Sequence, residues 1–233
     1  MDHILYFFLT IVILGIFYPI IENFEAYRYR LADMVLHKNH SDNKIWGFDY
    51  HKKIYPNSIA TEYMRTTDDK SDYSILLDII SKRKTTHQYE DRVVIHLRLG
   101  DVINNSEYTV DQFLNNPTYY YHTNEMKTNY VKTIRYYQKV IDKLRKLGIN
   151  KAIFITGFHQ GTDHTKSLEY LSKLTLYFQS QGFQCTSRIN LDPDDDFLIM
   201  CNSKYFVPSG GGFSKIITEI VKRKGGIVVT DMD

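Results

Sequence analysis

Val93-Val94-Ile95-His96-Leu97-Arg98-Leu99-Gly100-Asp101 is the stretch from which the chain is best read. Val93, Val94 and Ile95 are branched apolar residues bounded upstream by charged Glu90-Asp91-Arg92, a pattern that reads as a buried strand. His96 and Arg98 stand two apart at its exit, so they project together from the carboxyl end of the strand. In an open α/β sheet that end is where ligands bind. The Arg98 guanidinium offers a rigid fork of donors suited to a phosphate or diphosphate. Gly100 turns the chain and Asp101 follows. Taken alone, the same string also fits a core strand closed by a surface Arg–Asp pair.

Downstream, residues 102–126 are polar and aromatic and read as a long functional loop. A helix is expected over 129–147, with Val131, Ile134, Tyr137, Val140, Ile141, Leu144 and Leu147 on one apolar stripe and Gly148 as its stop. Residues 151–157 form a buried strand ending in Thr156-Gly157. A helix over 165–181 follows, with Leu168, Leu171, Leu174 and Phe178 inward, and a shorter strand opens near Cys185. This alternation argues for α/β architecture with a parallel sheet and helical crossovers.

A second pattern completes the first. Tyr205-Phe206-Val207-Pro208-Ser209-Gly210-Gly211-Gly212-Phe213-Ser214 reads as a strand and a glycine-rich turn that runs into a helix. Glycines let backbone approach a ligand closely, and a helix start presents unpaired N–H groups and a positive dipole end. A turn without a ligand would need only one glycine, so Ser209 to Ser214 point to nucleotide phosphates. Neither standard phosphate-binding fingerprint is present. The acidic run Asp192–Asp196 lacks calcium-loop spacing and precedes a helix, where carboxylates serve as caps, so no metal is expected.

The chain of 233 residues is 43% hydrophobic with a net charge of +2, enough for one sizeable core or two small lobes and no whole-chain argument for nucleic acid. Its 19 tyrosines are scattered, as packing residues are, rather than gathered into a base-stacking platform. Cys185 and Cys201 alone make neither a disulfide framework nor a metal site. Residues 4–21 run from Ile4 to Ile21 without a charge, and at 1.5 Å per residue about eighteen residues reach ~27 Å, enough to cross a bilayer core. The start lacks the basic residues and small-residue cleavage site of a signal peptide, so an uncleaved signal-anchor is expected. Arg28 and Arg30 would hold the body on the cytoplasmic side by the positive-inside bias.

His96-Leu97-Arg98-Leu99-Gly100-Asp101 resembles the H-x-R-x-G-D motif of fucosyltransferases, the α1,2 enzymes and their α1,6 and protein O-fucosyltransferase relatives. Tyr136-Tyr137-Gln138-Lys139-Val140-Ile141 is similar to the family's Y-Y-x-x-A-I helix. Asp196-Phe197-Leu198-Ile199-Met200-Cys201 with Lys204–Ser209 is similar to its D-F-x-L-M-x-x-C-x-x-F-I-x-S segment, and Gly212-Phe213-Ser214 falls at its S-x-F-S. The resemblance implies a GT-B-like fold of two Rossmann-like lobes and metal-independent, inverting transfer from GDP-fucose to a glycan or glycoprotein hydroxyl, with no cofactor. It further implies that Arg98 holds the diphosphate, that Asp101 orients Arg98 or the turn, and that Glu107 is a candidate base. His96, Gly100, Asp196, Ser209, Gly210, Gly211, Gly212, Phe213 and Ser214 would meet the donor.

The family usually carries a second basic residue where this chain has Leu99, and a serine or threonine where it has Gly211. These differences leave room for another nucleotide sugar, or for a catalytically inactive relative acting as a glycan- or nucleotide-binding scaffold. The expected layout is an anchor over 1–21, a juxtamembrane stem and start of a reduced first lobe over 22–90, a motif region of that lobe over 91–148, and a nucleotide-sugar lobe over 149–233. The family implies a single-pass protein of type II topology in the ER or Golgi, opposite to the charge bias.

Overall fold

The computed structural model describes residues 31, 52–66, 73–83, 90–115, 130–158 and 163–231. The anchor at 4–21 and the cluster Tyr119–Tyr121 lie outside the described residues, among which no helix is long and apolar enough to cross a membrane.

Five parallel strands form one sheet: β1 (Val93–Arg98), β2 (Lys151–Gly157), β3 (Gln184–Ile189), β4 (Tyr205–Val207) and β5 (Ile227–Val228), in the order β3-β2-β1-β4-β5. From β1 the chain steps outward to β2 and β3, then returns to the other side of β1 for β4 and β5. The order therefore reverses between β1 and β4, which makes that gap the topological switch point of a Rossmann-like α/β domain.

β1 is buried on both faces, which is why it is a continuous apolar run rather than an alternating one. Val93, Ile95 and Leu97 pack with α3 (Asp101–Asn104), α4 (Val110–Asn115), α5 (Ile134–Lys146) and α6 (Thr165–Ser180). Val94, with Ile153, Ile155 and Phe206, packs on the opposite face with α1 (Ile59–Thr66), α2 (Tyr73–Lys82), α7 (Pro193–Cys201) and α8 (Gly211–Arg223).

The expected lobe boundaries meet this sheet differently. β1, from the 91–148 segment, is bordered on both sides by strands of the 149–233 segment. α1 and α2, from the 22–90 segment, bury Ile59, Ala60, Tyr63, Leu76, Ile79 and Ile80 against the same core. The described residues of all three segments thus share one three-layered body, because apolar faces on α1 and α2 are covered by this sheet.

Local differences have local causes. Residues 101–115, expected as part of a long loop, contain α3 and α4, since Val102, Ile103, Val110, Phe113 and Leu114 are buried on the α5–α6 face. The helix expected from 129 starts at Ile134, where the Thr133 hydroxyl accepts from the Tyr136 N–H at 3.3 Å and caps it. Gly148 ends that region at φ +72. Leu147 and Leu168, expected inward, are 40% and 47% exposed. On α6 the buried face is Ser167, Tyr170, Leu171, Leu174 and Phe178, and Leu168 lies off it.

Candidate functional site

The carboxyl ends of β1 and β2, the segment after β3, α7 and the start of α8 line a cavity of about 110 Å³. His96, Arg98 and Phe213 line one end; Leu191, Pro193, Asp196 and Met200 line the other, with Ile155 to Gly157 between. A larger, more open cavity of about 260 Å³ lies between residues 55–58 and 192–194. It lies away from the β1–β4 switch point, and its carboxylates already hold helix ends. Asp192 Oδ1 accepts from the Asp194 and Asp195 N–H groups at 2.8 and 3.2 Å, and Asp194 accepts from the Ile59 N–H at 2.8 Å. The capping role expected for this acidic run is seen directly in Asp192.

His96 and Arg98 leave β1 on the α7–α8 side, as their spacing requires. His96 is 7% exposed, and its Nδ1 lies 2.6 Å from Ser214 Oγ and 3.3 Å from Ser209 Oγ. Ser214 Oγ also accepts from the Ser209 N–H at 3.3 Å. The imidazole therefore ties the sheet to the glycine-rich turn. Both serine hydroxyls are interior groups engaged with His96. The His96 ring meets Phe213 edge-on at 5.5 Å.

Arg98 reaches into the cavity wall. Its Nη2 forms a 2.9 Å ion pair with Asp101, and its Nη1 is buried with no hydrogen-bond partner among the described residues. A buried guanidinium N–H without an acceptor is costly, so this atom is where an anionic ligand would gain most. Leu99, beside it, points to the opposite face and is 1% exposed in the α3–α6 core. A second basic residue at that position would have to bury its charge.

The glycines divide by role. Gly100 sits at φ +69 and donates its N–H to Ser167 Oγ at 3.0 Å, while Ser167 Oγ donates to Asn104 Oδ1 at 3.0 Å. Its amide thus fixes the turn to α6 rather than facing a ligand. Gly210 and Gly211 lie at φ +114 and +75, a region that side chains disfavour. A Cβ on Gly211 would stand 3.2 Å from Tyr130 Cε1, a contact that with the positive φ favours glycine here. Gly212 and Phe213 complete the first turn of α8, whose N-terminus carries no side-chain cap. Glu107 lies exposed on the turn between α3 and α4 and does not line the cavity.

Asp196 lines the far end of the cavity and is 7% exposed. Burial raises its carboxyl above the ordinary range, against the opposing pull of Arg188, whose Nε donates to Oδ1 at 2.7 Å. Arg188 and Ser167 went unnoticed in the sequence, because each acts through a partner far away in the chain or on another element. The Thr156-Gly157 strand end was legible, and the strand order makes it a wall.

The fold is a doubly wound, Rossmann-like α/β domain, and the cavity lies at the carboxyl ends of β1 and β2 against α7 and the start of α8. No protein-family model matches the chain, and no curated protein is detectably similar to it.

Proposed function

We propose that the chain is a membrane-anchored, metal-independent, inverting glycosyltransferase that transfers L-fucose from GDP-fucose to a glycan or protein hydroxyl. The observation that carries the reading is the meeting of two distant sequence patterns at one switch point: the His96/Arg98 strand end and the Ser209–Ser214 turn. Beside them lies a cavity lined by His96, Arg98 and Phe213, and Arg98 Nη1 has no hydrogen-bond partner among the described residues. Arg98 and the open amides of α8 hold the diphosphate and offset its charge as it leaves. Asp101 keeps the guanidinium in place. Asp196 receives the nucleoside. The acceptor hydroxyl must lose its proton to a base; Glu107 is the candidate by resemblance, although it lies exposed on the α3–α4 turn and does not line the cavity. The GT-B part of the reading requires a second lobe, whereas the described residues build one sheet. Residues 4–21 supply the membrane tether.

The test is calorimetric titration of GDP, UDP and ADP into the chain and into Arg98→Ala, followed by transfer assays with GDP-fucose. Selective GDP binding, weakened about 10- to 100-fold in the variant, is expected from loss of a charged hydrogen bond. A folded chain that binds none of the three nucleotides refutes the reading.

A second reading has its own support. Leu99 is core, and the hydroxyls of Ser209 and Ser214 are engaged with His96, which favours an inactive relative that binds the nucleotide or glycan without transfer. GDP binding with no transfer or donor hydrolysis selects it.

A further inference from the structure

Arg188, on the edge strand β3, touches the cavity through Asp196, which lines it. In the sheet it pairs with Ile155, which in turn pairs with His96, so the three form a row across β3, β2 and β1. His96 and Ile155 line the cavity. Arg188 lies beyond them on the same face and turns to α7, where it meets Asp196. Both side chains are largely buried, 14% and 10% exposed, in a 2.7 Å Nε–Oδ1 contact. The other oxygen, Oδ2, has no hydrogen bond among the described residues.

We propose that Arg188 is a positioning residue for nucleobase choice: it anchors Oδ1 so that Asp196 presents Oδ2 to the cavity as an ionised acceptor. This rests on the reading of the cavity as a GDP-sugar site. An acceptor-only group matches a base edge with two adjacent N–H donors, as guanine has. Adenine offers a ring-nitrogen acceptor on that edge, and uracil flanks its single N–H with two carbonyls, so both meet the carboxylate with repulsion. A protonated Asp196 would lose this discrimination. The charges that bear on Asp196 are Arg188 from β3, Asp192 and Asp195 from its own helix, and His96 and Arg98 on the cavity wall from β1. Burial, Asp195 and Asp192 all favour protonation, and Arg188 opposes them.

The experiment is calorimetric titration of GDP and ADP into the full chain, Arg188→Gln and Arg188→Lys between pH 7 and 8.5, with circular dichroism to report folding. Each variant is read as a ratio to the unsubstituted chain at the same pH, which cancels titration of His96 and of the nucleotide. Arg188→Gln should bind GDP about tenfold more weakly at pH 7, from loss of the anchored charge-assisted acceptor, and regain affinity as pH rises and deprotonation restores it. Arg188→Lys should keep a flat profile, and ADP should bind Arg188→Gln no more weakly at pH 7 than the unsubstituted chain. Equal GDP affinity in Arg188→Gln overturns the proposal and leaves the GDP site standing. So does an equal loss for GDP and ADP at every pH, or failure of both variants to fold, since either makes the pair merely structural. If the unsubstituted chain binds no GDP, the underlying site reading falls and the proposal falls with it.

Discussion

At the scale of single residues, the site is held by groups that satisfy one another before any ligand arrives. His96, Ser209 and Ser214 are buried polar residues whose partners are each other. Ser214→Ala removes the 2.6 Å partner of His96 Nδ1 and the acceptor of the Ser209 N–H together. Leaving such groups unpaired in the interior costs about 1–3 kcal/mol. Ser209→Ala removes only a 3.3 Å contact and should cost less. Urea denaturation of the two variants checks the order, and equal midpoints would mean that the imidazole finds another partner. The sequence displayed these residues as a phosphate turn, and the structure adds a second use for their hydroxyls. Their types and spacing were legible, but their use was not, because the partner that claims both hydroxyls lies more than a hundred residues away. Leu99 is the converse case. Next to Arg98 in sequence, it faces the other side of the sheet, as period-2 alternation requires, and joins an apolar core.

At the scale of elements, strands and helices with a strong period were the ones the sequence revealed. β1, β2, α5 and α6 announce themselves by apolar runs or stripes, and α7 by its Asp-Pro start. α1 has no such announcement: its eight residues include Thr61, Glu62 and Arg65, and burial of Ile59 and Tyr63 depends on the sheet beneath. Its position is fixed instead by a polar latch. Arg83, just past α2, donates to the Asn57 carbonyl at 2.7 Å, to Glu62 at 2.7 Å and to Asp194 at 3.3 Å, tying α1 and α2 to the start of α7. Arg83→Met should therefore destabilise the chain by about 1–3 kcal/mol, because a carbonyl and two carboxylates lose their shared donor. Hydrogen exchange should show the loss concentrated in α1 and α2 rather than spread over the strands, since local opening follows the weakened contacts. Uniform deprotection would mean that these helices fold and unfold with the sheet as one unit.

At the scale of the whole molecule, the decisive property is strand order, which no local pattern carries. Period and turn chemistry identify β1 and β4 separately; only the sequence 3-2-1-4-5 sets them side by side and opens a crevice where their connections part. The walls of that crevice come from both cores. Leu97 belongs to the α3–α6 side, whereas Met200 and Phe213 pack on the α7–α8 side. A ligand seated there contacts groups that separate on unfolding, so binding must add to global stability by mass action. Free ligand at a hundredfold excess over its dissociation constant contributes about 2.7 kcal/mol. For a chain of this size each kcal/mol raises Tm by about 2–4 °C, which gives a rise of about 5–10 °C in saturating GDP. Arg98→Ala should lose most of that rise at the same GDP concentration, because the guanidinium is the anion partner in the proposed GDP-sugar site. UDP and ADP should shift the unsubstituted chain less than GDP, since Asp196 faces their edges with repulsion. Differential scanning calorimetry over a GDP series checks both points. A rise that persists in Arg98→Ala would place the nucleotide elsewhere, with the open cavity beside Asp192 and Asp194 the next place to look.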